Sequence, residues 1–314
     1  MLKPRHFVAA MLALALTACG SGANEVEQGS LGQELQGATF TVGSKDFSES
    51  IILGYITIEM LRAHGATVND KTNIKGSTNT RNALLSGEID MYWDYTGTGW
   101  ITYLNKTEPL PDPQQQYEAV AKEDLEANNV VWGQPAPLNN TYAFAIRKEK
   151  GDELGVRTLS DLAELAKNKP EEATFCIESE FSTRDDGWPG VTEAYGMNIP
   201  KENVKLVDLG VVYTETKKGE TCNFGEVFTT DGRIASLNLT VLEDDKRFFP
   251  NYNAALTLRK ETADKHPQVL QFLNPVAAKL TNEVMQELNA KVDAEGHQPK
   301  KVAHDWLVQE GFLK

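Results

Sequence analysis

Histidine and cysteine are both scarce in this chain, with five and three residues among 314. The histidines (His6, His64, His266, His297 and His304) are scattered, and none shows the His-Glu-x-x-His spacing that puts two imidazoles on one turn of a zinc helix. His297 and His304 fit one helix face, but surface histidines at that separation are far more often solvated than metal-bound. Also missing are a Gly-x-Ser-x-Gly elbow, a P-loop and a dinucleotide glycine fingerprint. With no nucleophile and base pair, no metal cluster and no cofactor cradle, the chain is expected not to be an enzyme and to need neither cofactor nor metal. Positive charge is in short supply as well. Against 45 Asp and Glu stand 31 Lys and Arg, a net charge of −14, and no five-residue basic cluster occurs. That balance argues against nucleic acid or an anionic lipid surface as a partner. Acidic pairs such as Asp185-Asp186 and Asp244-Asp245 read as solvated turns.

Long apolar runs are absent too. The stretch from Phe7 to Leu16 is too short to span a bilayer stably. It follows Lys3 and Arg5 and runs into Leu16-Thr17-Ala18-Cys19, an order of charge, short apolar core and small residues that marks a secretory signal. The ending resembles the bacterial lipobox, which implies cleavage before Cys19 and attachment of lipid to its sulfur. Residues 1–18 are therefore expected to be a signal peptide, and residues 19–38, rich in Gly, Ser, Glu and Gln, a lipidated cysteine with a flexible tether. The expected location is extracytoplasmic, anchored to a bacterial membrane through Cys19. The two remaining cysteines, Cys176 and Cys222, are expected to pair in an exported chain. The alternative is two separate buried thiols.

What is present is concentrated in Met91-Tyr92-Trp93-Asp94-Tyr95-Thr96-Gly97-Thr98-Gly99-Trp100, which holds four large aromatics although aromatics are 8% of the chain. Ser77 to Leu85 reads as a helix closed by Gly87, and Glu88 to Trp93 as a strand. Thr-Gly-Thr-Gly then reads as a strand-end loop whose backbone N–H groups and hydroxyl face a ligand. An equally open reading is a core strand followed by a turn. The pattern recurs along the chain. Thr39 to Gly43 reads as a strand, followed by a polar loop with Lys45 and a helix from about Ser50 to His64. Strand and helix alternate again after residue 114. Two stretches break the regularity, at 135–142 and 244–252. Alternating strands and helices with two crossings describe an α/β protein of two lobes joined by a hinge, the ligand cleft lying between them. Lobe 1 is expected to comprise residues 39–141 and 246–314, and lobe 2 residues 142–245.

Six blocks carry a family resemblance. They are Gly43-Ser44-Lys45-Asp46-Phe47, Asp94-Tyr95-Thr96-Gly97-Thr98, Asn139-Asn140-Thr141-Tyr142, Arg184-Asp185-Asp186-Gly187, Phe228-Thr229-Thr230-Asp231-Gly232-Arg233-Ile234 and Phe249-Pro250-Asn251-Tyr252. In this order, behind a lipobox, they resemble the glycine betaine, choline and carnitine binding proteins of osmoprotectant ABC importers. The likeness runs from about Thr39 to Leu313. It implies a two-lobed periplasmic-binding-protein fold (type II-like) that closes on a quaternary ammonium compound and delivers it to a membrane permease; a monomer is expected.

The resemblance also assigns residues. Tyr95, Tyr142 and Tyr252 match aromatic walls of an ammonium cage, and Phe228 takes a fourth position that is commonly Tyr. Lys45, Thr98 and Arg184 match positions that hold the carboxylate of betaine-type ligands. Tyr195 and Tyr213 are spare aromatics, read as structural. These types suit the chemistry. A trimethylammonium head has no N–H to donate, so ring faces must attract it, each worth about 0.5–2 kcal/mol. A carboxylate tail suits Arg, Lys and a hydroxyl. Two alternatives stand beside this reading: a ligand-sensing or scaffolding lipoprotein, and a binding protein of altered specificity for another cationic or aromatic compound.

Overall fold

The computed structural model describes residues 26–106 and 110–314. The signal peptide, Cys19 and the first part of the tether lie outside the described residues. Among the described residues, ten strands form two five-stranded sheets: β1 (Thr39–Lys45), β2 (Thr67–Ile74), β3 (Met91–Tyr95), β4 (Val130–Trp132), β5 (Tyr142–Arg147), β6 (Phe175–Ile177), β7 (Val204–Leu206), β8 (Phe224–Phe228), β9 (Leu239–Val241) and β10 (Ala254–Arg259). The first sheet has the order β2-β1-β3-β10-β4 and the second β7-β6-β8-β5-β9. In each sheet four strands run one way and the fifth, second from one edge, runs the opposite way. β10 pairs antiparallel with β3 and β4, and β5 pairs antiparallel with β8 and β9.

Local sequence explains most of the elements. The helix Ser48–Ala63 buries Ile52, Leu53, Ile56, Met60 and Leu61 against the first sheet and the C-terminal helices. Gly65 turns the chain out of it with φ +95°, a left-handed conformation that costs glycine little. Asp112 caps the helix Pro113–Asn128, with proline at its first position. Thr158 and Asp161 form a reciprocal capping box at the start of Leu159–Asn168.

The chain passes between the sheets twice, after β4 and after β9, and the two passages are laced together. Asn139 and Asn253 form an antiparallel bridge. The Asn140 N–H donates to the Tyr252 carbonyl at 3.1 Å, the Tyr252 N–H to Asn139 Oδ1 at 2.7 Å, and the Thr141 hydroxyl to the Pro250 carbonyl at 3.3 Å.

Several expectations need correction. Thr96-Gly97-Thr98-Gly99 is not a loop. A helical turn begins at Thr96 and widens into a π-helical turn over Gly99–Tyr103. β2 was not anticipated, because its sequence TVNDKTNI is mostly exposed at the sheet edge and carries no alternating apolar signal. His297 and His304 do not share a helix: His297 precedes Pro299–Gln309, and His304 on that helix contacts the buried Glu59 at 2.9 Å. The acidic pairs are not free turns either. Asp186 is buried, Asp244 accepts the Tyr195 hydroxyl and the Phe249 N–H, and Asp245 accepts Ser160.

Cys176 on β6 and Cys222 just before β8 are joined in a disulfide. In non-reduced protein, alkylation is expected to label neither of them, and reduction is expected to lower unfolding free energy by about 3–4 kcal/mol on the chain-entropy scale. Labelling at both positions without reductant would contradict the bond. A second expectation concerns Glu226 on β8, which is 1% exposed and accepts the Glu178 N–H at 2.7 Å. Burial pushes its carboxyl up to about 8 from an ordinary 4.5. The folded chain thus keeps a proton that the unfolded chain releases, and stability falls as pH rises from about 4.5 to 8, by on the order of 4–5 kcal/mol. Urea titrations of Glu226→Gln are expected to show a flatter decline over that window. An unchanged slope would remove Glu226 as its source.

Candidate functional site

A cavity of about 640 Å³ lies between the two sheets. The strands deliver its walls from both sides. Tyr95 ends β3 and Tyr142 opens β5, Phe228 ends β8, and Tyr252 lies on the second passage, two residues before β10. Their rings are neighbours. Tyr142 lies 5.1 Å from Phe228 and 5.4 Å from Tyr252 between centroids, the latter pair nearly perpendicular at 87°. Tyr95 joins the array through Phe47, which is 5.9 Å from Tyr95 and 5.3 Å from Phe228. Four rings from distant segments therefore share one hollow, with Phe47 as a fifth. Phe47 was missed as a site residue although it stands two positions after Lys45. The available signal was that it follows the carboxyl end of β1, where an open α/β sheet offers its ligand-binding edge.

The aromatic stretch at 91–100 divides between the two readings it allowed. Pleating sends Tyr92 to one side of β3 and Met91, Trp93 and Tyr95 to the other. Tyr92, Trp93 and Trp100 are core residues, Trp93 donating from Nε1 to the Thr57 hydroxyl at 2.8 Å. Tyr95 and Thr98 reach the cavity. Gly97 has a specific reason to be glycine: a Cβ there would stand 2.6 Å from the Tyr252 ring and 2.9 Å from the Asn251 carbonyl, displacing a ring that lines the cavity.

Hydrogen bonds fix these rings. The Tyr95 hydroxyl donates to Glu49 Oε1 at 2.8 Å, and that carboxylate also accepts Asn140 at 3.0 Å, Thr230 at 2.6 Å and Asn289 at 3.1 Å. Burial pushes the Glu49 carboxyl up despite these four donors. Tyr252 donates from its hydroxyl to Asp186 at 2.6 Å. Burial holds the Tyr95, Tyr142 and Tyr252 hydroxyls well above the ordinary phenol value, so they stay neutral. Phe228 has no hydroxyl to fix, and its N–H donates to the Tyr213 oxygen at 3.0 Å. Tyr213 and Tyr195 lie away from the cavity, Tyr195 bonding to Asp244.

The expected basic pole is arranged differently from its sequence reading. Lys45 and Thr98 line the cavity. Lys45, however, is buried and paired, its Nζ 2.8 Å from Asp94 Oδ1 and 5.1 Å from the centre of the Tyr95 ring. Arg184 does not line the cavity. Its guanidinium lies 5.6 Å from the Tyr142 ring centre and donates to Asp186 through Nε at 2.7 Å and Nη2 at 2.6 Å. Its Nη1 donates to Glu180 at 2.9 Å, and Glu180 faces the cavity in its place. Asp46, Glu178 and Asp208 line the same hollow with Lys75, so with Glu180 and Lys45 counted its carboxylates outnumber its ammonium groups four to two. No cluster of three or more metal-ligating side chains occurs among the described residues.

Known proteins share this architecture. The chain is 38% identical over 283 residues to a glycine-betaine-binding protein of Pseudomonas aeruginosa, covering 88% of this chain and 90% of that one. It is 35% identical over 272 residues to the ergothioneine transport permease/ergothioneine binding protein EgtU of Helicobacter pylori, covering 86% of this chain but 47% of that longer protein. A crystal structure titled glycine betaine/carnitine/choline ABC transporter superposes with a TM-score of 0.70 at 27% identity, covering 88% of this chain and all of the other. Residues 38–309 match the family described as the substrate binding domain of the ABC-type glycine betaine transport system, and the chain, two α/β lobes around an aromatic-walled cleft, belongs to that family.

Proposed function

We propose that this chain captures a compact quaternary ammonium solute of the glycine betaine type, with choline and carnitine as further candidates, and passes it to an ABC permease. The observation that supports this most is the convergence of Tyr95, Tyr142, Phe228 and Tyr252, which come from four distant segments, on one cavity. A trimethylammonium head excludes hydrogen bonding and keeps a carboxylate at a distance, whereas ring faces attract it, more strongly once water is gone. The carboxylates of Asp46, Glu178 and Asp208 outweigh the ammonium of Lys75 and leave a net negative field that favours a cation in the same hollow.

In this reading lobe 1 comprises residues 39–141 and 246–314 and lobe 2 residues 142–245. Closure is a hinge motion at the two laced passages, stabilised by a ligand touching both lobes. Lys45 and Thr98 stand at the tail end of the ligand, with Arg184 behind Glu180. The protein acts as a monomer anchored through lipid on Cys19. Since 640 Å³ lies within the range of sites for drug-sized ligands, a bulkier cation is the second reading.

Titration calorimetry with glycine betaine, choline, carnitine and proline betaine is expected to detect binding of at least one, and binding of none would refute the ligand class. For the ligand that binds, Tyr95→Ala and Tyr142→Ala are each expected to weaken affinity at least about tenfold, or roughly 1.4 kcal/mol. Unchanged affinity would return those rings to packing.

A further inference from the structure

Both cations expected to hold a ligand carboxylate are already paired with carboxylates of the chain itself. Lys45 is matched by Asp94, and Arg184 by Asp186 on two nitrogens and Glu180 on a third. Glu180 is the unusual member of this set. It follows β6 of the second sheet, yet its Oε2 accepts the N–H of Ser77 at 3.0 Å, 103 residues away. Ser77 is the first residue of the helix Ser77–Ser86, which belongs with the first sheet. One carboxylate thus spans the cleft, holding Arg184 with one oxygen and a helix N-terminus with the other.

A guanidinium beside an open helix N-terminus is the combination that receives a carboxylate from solution. Glu180 is half-buried on the cavity wall, and it keeps its charge there. Burial alone would raise its carboxyl, but Arg184, Lys45 and the Ser77 donors outweigh that and hold it below the ordinary value. Gly76 and Ser77 also line the cavity, so a bound ligand would meet this junction directly.

We infer that Glu180 is a specificity-determining residue that fills the carboxylate position of the site from within the chain. The inference rests on the quaternary ammonium reading above. A ligand whose carboxylate tail takes the position beside Ser77 and Arg184 has to displace Glu180 from both, and one whose tail turns to Lys75 instead still meets the repulsion of the Glu180 carboxylate on the same wall. A ligand with the same head and an uncharged tail leaves the pairing intact. Glu180 therefore shifts the balance of affinities away from zwitterions and toward simple cations, without altering the cage that holds the head.

The test compares glycine betaine, which has the carboxylate, with choline, which has a hydroxyl, by calorimetry on the full chain. Glu180→Ala is expected to raise the ratio of betaine to choline affinity at least about tenfold, and Glu180→Gln to raise it by a smaller factor. Asp208→Asn serves as the charge control, because Asp208 lines the cavity without bonding to Ser77 or Arg184. Losing that carboxylate weakens the field that attracts either cationic head, so it is expected to lower both affinities together and to move their ratio less than about threefold. A ratio unmoved in both Glu180 variants overturns the inference, as does an equal shift in Asp208→Asn, which would make the effect one of overall charge. Should Glu180→Ala fail to fold, Glu180→Gln decides alone. If the unmodified protein binds neither probe, the quaternary ammonium reading falls and takes this inference with it; binding with an unmoved ratio sinks only the latter.

Discussion

A single buried carboxylate ties together the parts that make the cleft. Glu49 is 2% exposed and receives hydrogen bonds from Tyr95, Asn140, Thr230 and Asn289. Those donors come from the end of β3, the first passage between sheets, the segment after β8 and a C-terminal helix. A buried carboxylate is costly unless such donors surround it, and each donor would be left unsatisfied at roughly 1–3 kcal/mol if the carboxylate were lost. The cost and its compensation together specify one arrangement of four segments. Tyr95 takes its ring orientation from that arrangement, and Thr230 draws the second sheet toward the first.

The cleft built on this hub separates two tasks that ligand recognition usually mixes. In the proposed reading its rings supply attraction that needs no hydrogen-bond partner, while its hydroxyls and carboxylates mostly bond to one another. Tyr252 is held by Asp186, Arg184 by Asp186 and Glu180, and Lys45 by Asp94. Polar groups that have found partners within the protein hold the rings still and do not have to reorganise around the head of a ligand. Phe228 fits this division, because a ring that only offers its face loses little by lacking a hydroxyl. The pairing also explains why an acidic chain can carry buried arginine and lysine beside its cavity at all.

Much of this was legible in the sequence, and the gaps have physical causes. The alternation of strands and helices was readable because buried parallel strands and capped helices leave apolar runs and Gly, Pro, Thr and Asp punctuation. β2 was not, since an edge strand with one covered neighbour needs no apolar pattern. Tyr95, Tyr142, Phe228, Tyr252, Lys45 and Thr98 were found as members of motifs, and the structure brings them to one cavity. The partners of Arg184 were not legible, because a motif names a residue but not what it bonds to. The spacing Glu180-x-x-x-Arg184-x-Asp186 already contained the three groups that bond to each other. The solvated-turn reading of Asp186 fails because an acidic doublet says nothing about whether one member turns inward.

The two sheets also differ in how the polypeptide supplies them. All five strands of the second come from the unbroken stretch 142–241, so that unit can be assembled from a single run of chain. The first sheet has a gap between β3 and β4 until β10 arrives, more than 120 residues after β4 in the sequence. A chain emerging from its amino terminus would therefore hold an unfinished sheet, open at its middle, while the later unit is already complete. Tyr252 sits directly ahead of the strand that fills the gap, so the last wall of the cleft is put in place by the same event that closes the sheet.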